Sequence, residues 1–293
     1  MKLTYFFFQK SHLIVSRHLL LLPSAMNRAV AFTAVLLASC ISVSSAAIVR
    51  GVPVLNTTVP FTLHLIEHAS FYLSIPASPA LTYIVYSDPW DTGNGFYDNV
   101  PIGDVVLITH PHGDHFDLAA LKKVAVAGRT LFVAPPDVTE TLVTSGGYPR
   151  ETILTLANWE RGTLLGGFLA IEAVPAYNFA PTTYHPEGLW NGYVVTLNGT
   201  TRVYLSGDSE DVPEMRQLQN VDVAFVAFNL PNTMDVPEAA SAVVEFSPKV
   251  VYPYHYRSSN VAEFKRLVEL GNQGVEVRQL NWYPAGLTTL EGV

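Results

Sequence analysis

The sequence predicts an α/β (α+β) fold in which two β-sheets are stacked and helices lie outside them. Strand-like segments come first along the body of the chain and then alternate with helical ones, as expected of such a layered fold. One segment, residues 221–228, is almost continuously apolar, as in a sheet that is covered on both faces. The roughly 240 residues of the body suit one large domain better than two small ones. We therefore expect a single domain over residues 50–293.

The first half of this body is expected to be rich in strands. Strands are predicted, from β-branched, aromatic or continuously apolar content, at residues 61–66, 71–75, 81–86, 104–109 and 131–134. Residues 116–123 are predicted to form a helix with Asp117 near its N-terminal cap. A second helix is predicted to open with a capping box between Asp137 and Glu140, and to end at Gly146-Gly147.

The second half is expected to alternate strands with helices. The segment Asn198-Gly199-Thr200 joins two strand patterns, which indicates a β-hairpin. Helices are predicted at residues 237–246, where proline lies at the start, and at 260–270, before Gly271. Strands are predicted within residues 152–174 and at 193–197, 201–205, 221–228, 250–254 and 275–280.

Six consecutive residues carry most of the functional information: His110-Pro111-His112-Gly113-Asp114-His115. They lie between a predicted strand and a predicted helix, where α/β proteins often build their sites. His110 and His112 can point the same way from extended backbone and bind one metal ion together. Asp114 and His115 follow a glycine that permits a sharp turn, so they can face a second ion. These side chains suit Zn²⁺, Mn²⁺ or Fe; a solvated histidine-rich turn is the alternative.

The N-terminal segment differs in charge from the rest of the chain. Residues 1–66 contain five Lys or Arg and no Asp or Glu, so the remainder holds 12 basic against 25 acidic residues. A body this acidic argues against a nucleic acid partner, because phosphates are bound by Lys and Arg. The apolar run at residues 29–38 is typical of a signal peptide and is too short to span a bilayer. We expect residues 1–46 to be a leader and the mature domain, without a transmembrane helix, to be extracellular or periplasmic.

Several alternatives stay open for this leader. The segment Leu37-Ala38-Ser39-Cys40 resembles a bacterial lipobox, in which Cys40 would carry a lipid anchor. Sequons at Asn56 and Asn198 would suit a eukaryotic secretory protein, but such short motifs arise often by chance. The true start is Met1 or Met26, and a buried N-terminal helix is a further interpretation. Cys40 is the only cysteine, so its removal would exclude disulfides and cysteine chemistry from the mature protein.

Other polar residues lie at or between the ends of predicted strands. Asp208 and His255 each follow a strand directly, although either alone is more often a turn or core residue. His185 lies on a predicted loop. Asp88 is either a turn residue or a carboxylate that orients a metal-bound histidine. His68 lies between two strands, and its role is open.

Taken together, these segments resemble the metallo-β-lactamase superfamily, and within it the lactonase-like and N-acyl-phosphatidylethanolamine phospholipase D-like metal-dependent hydrolases. The matching segments are His68-Ala69-Ser70-Phe71, Ser87-Asp88-Pro89-Trp90, Thr109 to His115, Ala176-Tyr177-Asn178, Gly192-Tyr193-Val194, Ser206-Gly207-Asp208-Ser209 and Tyr252-Pro253-Tyr254-His255-Tyr256. The resemblance implies a four-layer αββα sandwich of two mixed β-sheets with helices on the outer faces. It also implies two metal ions at one edge of the sheets.

The resemblance assigns roles to individual residues. The implied ligands are His110 and His112 for the first metal, Asp114, His115 and His255 for the second, and Asp208 as a bridge. Many family members supply another histidine to the first metal, at the position where this chain has Asn178. We expect His185 to replace it, because neutral imidazole is the better ligand for a divalent transition metal. Weak ligation by Asn178 and a loosely held first ion are the alternatives.

The implied activity is hydrolysis of an ester, lactone or phosphodiester by a metal-activated water, with two divalent ions, most simply zinc, as cofactors. Asp114 and Asp208 are the expected catalytic carboxylates, and Asp114 would also accept a proton. Five aromatic residues lie near the predicted loops: Tyr177, Tyr184, Trp190, Tyr254 and Tyr256. If they line the pocket, they favour a small-molecule or lipid-like substrate; the alternative is that they are packing residues. Arg257 would bind a substrate anion or lie on the surface.

Two other functions are compatible with the same residues. A lipid-type phosphodiesterase would use the same metals on head-group esters. A non-catalytic member that binds metal or ligand belongs to a different class, and Asn178 is its main support. The sequence fixes neither the substrate nor the oligomeric state.

Overall fold

The computed structural model describes residues 57–179 and 184–284. In these residues two β-sheets stack face to face and helices cover their outer faces, which confirms the predicted sandwich. The predicted leader, with Cys40, Met1 and Met26, lies outside the described residues. No helix of the described chain combines the length and hydropathy that a bilayer span requires.

The first sheet has six strands in sequential order. They are β1 Thr62–Glu67, β2 Ser70–Ser78, β3 Leu81–Ser87, β4 Val105–Leu107, β5 Leu131–Ala134 and β6 Ile153–Thr155. The first three form an antiparallel meander, and β3 to β6 run parallel. Helices α1 Leu118–Val124 and α2 Pro136–Thr144 follow β4 and β5 and provide the crossovers that parallel neighbours need.

The second sheet has seven strands in the order β13-β12-β11-β10-β9-β8-β7. They are β7 Arg161–Leu164, β8 Leu169–Ala176, β9 Trp190–Leu197, β10 Thr201–Leu205, β11 Val223–Ala227, β12 Val250–Tyr254 and β13 Glu276–Val277. β7 to β10 are antiparallel, and the predicted hairpin is β9 with β10. β10 to β13 run parallel, and the helices between them are α3 Pro213–Arg216, α4 Val236–Phe246 and α5 Val261–Gly271.

Three buried apolar layers hold the sandwich together. Between the sheets, the ring of Phe71 stacks on that of Phe225 with centroids 4.4 Å apart. On the first sheet, α1 and α2 pack through Leu121 and Leu142. On the second sheet, α4 and α5 pack through apolar side chains such as Phe264. The central layer brings the carboxyl ends of strands from both sheets to one edge of the molecule.

One predicted helix start was wrong. The capping box of Asp137 and Glu140 does not form, because α2 begins earlier, with Pro135 as its N-cap and Pro136 in its first turn. Proline fixes φ near the helical value and needs no donor there, so it favours the first helical position. The carboxylate of Asp137 instead accepts a hydrogen bond from the indole of Trp190 at 2.8 Å.

The other predicted elements are present, with shifted ends. Asp117 caps α1 as predicted, and its side chain accepts a hydrogen bond from the Ala119 amide at 2.7 Å. The last strand is shorter than predicted and covers Glu276–Val277 alone. The short helix α3 was not predicted, since four residues are too few for a periodic pattern.

Replacing Phe71 tests the central layer. We expect Phe71→Ala to lower the free energy of unfolding by about 3–5 kcal/mol, because a buried ring is lost and a cavity is left against Phe225. Urea unfolding followed by circular dichroism measures the change. Leu270 is the control, since its side chain is 74% exposed and Leu270→Ala should change stability by less than about 0.5 kcal/mol. Equal losses in the two variants would contradict this packing.

Candidate metal centre

Polar residues at the ends of strands from both sheets meet at one edge of the sandwich. They are His68 after β1, Asp88 after β3, the loop from His110 to His115 after β4, Asn178 after β8, Asp208 after β10, Asn229 after β11 and His255 after β12. Asp208 lies at the centre of this edge. Its Oδ1 is 3.2 Å from His115 Nε2, and its Oδ2 is 3.3 Å from His255 Nε2.

Three overlapping groups of side chains have the spacing of metal ligands. They are His110, His112 and His185; His68, Asp114, His115 and His255; and His110, His115 and Asp208. Within each group the candidate ligand atoms lie within 4.8 Å of one another. His185 Nε2 is 3.5 Å from Asp208 Oδ2, so the structure places His185 beside the first two histidines. Asp208 lies between the first group and the second.

Asp88 orients two of the histidines. His115 Nδ1 donates to Asp88 Oδ2 at 2.9 Å. Thr109 Oγ1 donates to the same carboxylate at 2.8 Å, so this hydroxyl is left to accept from His110 Nδ1, 2.9 Å away. The backbone amide of Thr109 also donates to Asp88 Oδ1 at 2.8 Å. Both imidazoles are thereby turned so that their Nε2 atoms face the centre.

Two asparagines orient two further histidines. His185 Nδ1 donates to Asn178 Oδ1 at 2.7 Å, and Asn178 Nδ2 donates to the Asn232 carbonyl at 2.9 Å. His255 Nδ1 donates to Asn229 Oδ1. The oxygen of Asn178, at the position where the resemblance implies a histidine, thus holds His185 rather than facing the centre.

The Nε2 atoms that face the centre are buried and have no hydrogen-bond partner. The unpaired atoms are the Nε2 of His110, His115, His185 and His255, together with Oδ1 of Asp208. Leaving one such atom unpaired costs about 1–3 kcal/mol. Imidazole nitrogen and carboxylate oxygen are ligands of divalent transition metals, and an oxygen acceptor on the opposite nitrogen is the usual support of a metal-bound histidine. The residues present therefore fit metal ions.

Burial and charge shift the pKa values in opposite directions across the centre. Burial holds the pKa of His110 well below its usual value and lowers the pKa of His185 to about 4. Burial would lower the pKa of His115 too, but Asp208 and Asp88 outweigh it and raise that pKa well above its usual value. Burial disfavours the Asp208 carboxylate, but His255 and His115 outweigh it and hold its pKa well below the usual range.

Three residues in the turns of the centre have a strained backbone. His68, Asp88 and His255 have φ values of 59°, 41° and 49°, a region that residues with a Cβ adopt rarely. Gly207, before Asp208, has φ of 58°, and an added Cβ would lie 3.1 Å from Thr109 Cβ. Glycine at this position lets the chain turn tightly enough to present Asp208.

A cavity of about 310 Å³ opens onto the centre. It is lined by His112, Gly113, Asp114, Tyr184, His185, Asp208 and Asn232. A larger groove of about 890 Å³ lies on the second sheet among residues such as Arg161, Thr163 and Glu172, and contains none of the histidines. We assign the chemistry to the smaller cavity, because it alone of these two contains metal-ligating side chains.

The predicted aromatic residues have different environments. Tyr184 lines the cavity and is half exposed, and the Trp190 ring lies 5.0 Å from that of His112. The other three are packing residues with paired hydroxyls: Tyr254 accepts from the Gly207 amide, Tyr177 donates to Glu214, and Tyr256 donates to the Leu280 carbonyl. Arg257 lies beside the centre, with Nη2 3.6 Å from Asp114 Oδ2.

Sequence reasoning missed three residues that orient the centre. Thr109 and Asn229 are polar residues at the carboxyl ends of apolar strands, a signal that could have found them. Tyr283 donates a hydrogen bond to, or accepts one from, His68 Nδ1 at 2.9 Å. It follows the last strand, and nothing in its sequence neighbourhood pointed to this contact.

Comparison with known proteins identifies the family. Residues 92–256, more than half of the chain, match the model of the Beta-lactamase superfamily domain. The chain belongs to the metallo-β-lactamase superfamily. Within this superfamily it is similar to a metal-dependent hydrolase of the UPF0173 family from Anaeromyxobacter dehalogenans, with 30% identity over 64% of this chain and 72% of that protein. A relative from Thermococcus onnurineus is 32% identical over 62% of this chain and 83% of its own length.

Solved structures of the superfamily agree with this assignment. A Parabacteroides distasonis protein described as a metal-dependent hydrolase has a TM-score of 0.64 and 36% identity over 75% of this chain and 92% of its own. The metallo hydrolase Igni18 of Ignicoccus hospitalis has a TM-score of 0.61 and 23% identity over 75% of this chain and 94% of its own, and shows the shared fold. The chain thus belongs to a family of metal-dependent hydrolases within the metallo-β-lactamase superfamily.

Metal loading at neutral pH should release protons. In the metal-free protein the raised pKa of His115 keeps its imidazole protonated at pH 7, and a metal can bind Nε2 only after that proton leaves. Apparent metal affinity should therefore rise with pH up to the pKa of this histidine. Calorimetric titration with Zn²⁺ in buffers of different ionisation enthalpy measures the proton count. Binding without proton release at pH 7 would contradict the assigned state of His115.

Proposed function

We propose that the protein hydrolyses an ester, a lactone or a phosphodiester with water activated at a dinuclear metal centre. The observation that carries this proposal is the set of inward-facing, unpaired Nε2 atoms around Asp208. One ion would be held by His110, His112 and His185 and the other by Asp114, His115 and His255, with Asp208 between them. A donor set this rich in imidazole suits zinc, whereas oxygen-rich sets suit magnesium and calcium.

When bound, the metals supply Lewis acidity and lower the pKa of a water molecule towards neutrality. The chain's own contribution is to hold the ligands ready, so that little reorganisation is needed when charge develops. Asp88, Asn178 and Asn229 fix three of the imidazoles through their Nδ1 atoms. These contacts direct the Nε2 atoms at the centre.

Asp114 orients the attacking water. Its carboxylate lines the cavity, and although burial opposes its charge, the adjacent imidazoles of His255 and His68 hold its pKa well below the usual range. A carboxylate this acidic holds a proton weakly, so we assign Asp114 to ligation and to accepting a hydrogen bond from water. This role is narrower than that of the proton acceptor expected from the sequence.

The cavity favours a compact scissile group with a larger remainder outside. About 310 Å³ accommodates a lactone or ester head, and the half-exposed Tyr184 provides an apolar wall. The guanidinium of Arg257 beside Asp114 would attract a substrate that carries an anionic oxygen. A second candidate, a lipid-type phosphodiesterase, is favoured by Phe179 and Leu230, exposed apolar residues that directly follow Asn178 and Asn229.

Replacing Asp208 tests the proposal. We expect Asp208→Ala to lose one or both ions and to lower the rate of hydrolysis by more than about 100-fold. Replacing a residue that only supports a metal ligand already lowers metal affinity or activity by about 10–100-fold. Metal content is measured by mass spectrometry, and hydrolysis is measured on a panel of lactones, carboxylic esters and bis-p-nitrophenyl phosphate. Asp211→Ala is the matched control, because Asp211 follows the same strand but pairs with Arg216.

The panel separates the candidate functions. Turnover of any substrate on the panel supports the proposal, and turnover of phosphodiesters alone narrows it to the lipid-type phosphodiesterase. Wild-type protein that binds two ions and cleaves no substrate of the panel would favour the non-catalytic alternative. A fully active Asp208→Ala variant would contradict the placement of the centre.

A further inference from the structure

His68 and Tyr283 form a hydrogen-bonded chain that ends on Asp114. His68 Nε2 lies 3.1 Å from Asp114 Oδ2, and His68 Nδ1 lies 2.9 Å from the Tyr283 hydroxyl. His68 is completely buried, and its ring lies 3.7 Å from that of His255. Asp114 is a member of the second group of candidate ligands, so these hydrogen bonds connect His68 and Tyr283 to a candidate metal ligand.

The hydrogen-bond partners fix the tautomer of His68. The backbone amide of Arg257 donates to the Tyr283 hydroxyl at 2.7 Å, so the hydroxyl keeps its own proton to donate to His68 Nδ1. The Asp114 carboxylate only accepts, so His68 Nε2 must carry the proton that it receives. His68 is therefore neutral and protonated on Nε2, opposite to the histidines whose Nε2 atoms are unpaired. An imidazole in this state donates to Asp114 and has no lone pair left for a metal.

The segment that follows the last strand anchors the hydrogen-bonded chain of His68 and Tyr283. Trp282 is fully buried in the layer between the sheets, where its ring packs against Phe71 and Tyr254. Its carbonyl accepts a hydrogen bond from the His68 amide at 3.0 Å. The segment thereby holds Tyr283 against His68, and both residues lie outside residues 92–256, the part matched by the superfamily model.

We propose that His68 and Tyr283 are positioning residues that hold the Asp114 carboxylate through Oδ2, in the orientation in which it would bind the second metal. The inference rests on the proposed function, in which Asp114 binds that metal. It extends the centre to residues 68 and 283, near the two ends of the residues that the structure describes. It also predicts that the binding of only one of the two ions depends on the hydrogen bonds of His68 and Tyr283.

The test compares metal affinities of full-length variants. Zn²⁺ dissociation constants are measured by competition with a chromogenic chelator for wild type, His68→Leu, His68→Gln and Tyr283→Phe. Glutamine can accept from Tyr283 and donate to Asp114, so it preserves the chain, whereas leucine does not. Tyr86→Phe is the matched control, because Tyr86 is also buried but its hydroxyl donates to the Pro101 carbonyl.

We expect one dissociation constant to rise about 10–100-fold in His68→Leu and about 3–10-fold in Tyr283→Phe, with the other constant unchanged. His68→Gln should stay within about 3-fold of wild type. The visible spectrum of bound Co²⁺ should change only in His68→Leu and Tyr283→Phe. Urea unfolding of the metal-free proteins checks the fold.

Two results would overturn the inference. If His68→Gln is as damaging as His68→Leu, the imidazole itself is a metal ligand; if all variants bind like Tyr86→Phe, the chain does not position Asp114. Failure of the proposed function would look different, because wild type would bind both ions and hydrolyse nothing, while the affinity ratios would still decide the role of His68.

Discussion

The centre depends on one constraint: an oxygen atom holds the Nδ1 of each histidine whose Nε2 is buried and unpaired. Asp88 alone orients His115 directly and His110 through Thr109. Without these acceptors the rings could turn and pair with one another, and their Nε2 atoms would no longer be held facing Asp208. Holding the Nε2 atoms in this orientation is the condition for binding a metal without rearrangement.

The fold provides this constraint through the ends of its strands. The parallel strands of both sheets end at the same edge, so residues distant in sequence, such as His110, Asp208 and His255, are delivered together. The turns that carry Asp88 and His255 have positive φ, and the apolar layers behind them provide the stability that such strain consumes. The same layer anchors Trp282, so core packing and the geometry of the centre are coupled.

The layers of the fold and the histidine-rich loop could be predicted from the sequence, because both depend on patterns of residues close together along the chain. Strand content, the hairpin and the Asp117 cap are short-range signals, and they were confirmed. The predicted start of α2 was wrong, because Pro135 and Pro136 begin the helix before the capping pattern of Asp137. The contacts of Asn229 and Tyr283 could not be predicted, because they depend on which strand ends meet in space.

The most direct measurement is anomalous diffraction from crystals of the protein grown with a divalent transition metal. The account predicts two peaks about 2.0–2.1 Å from imidazole nitrogens. One should lie on Nε2 of His110 and His185, and the other on Nε2 of His115 and His255. Ligation through Nδ1, or ions bound only away from these histidines, would contradict the claim that the chain holds its Nε2 atoms ready for metal.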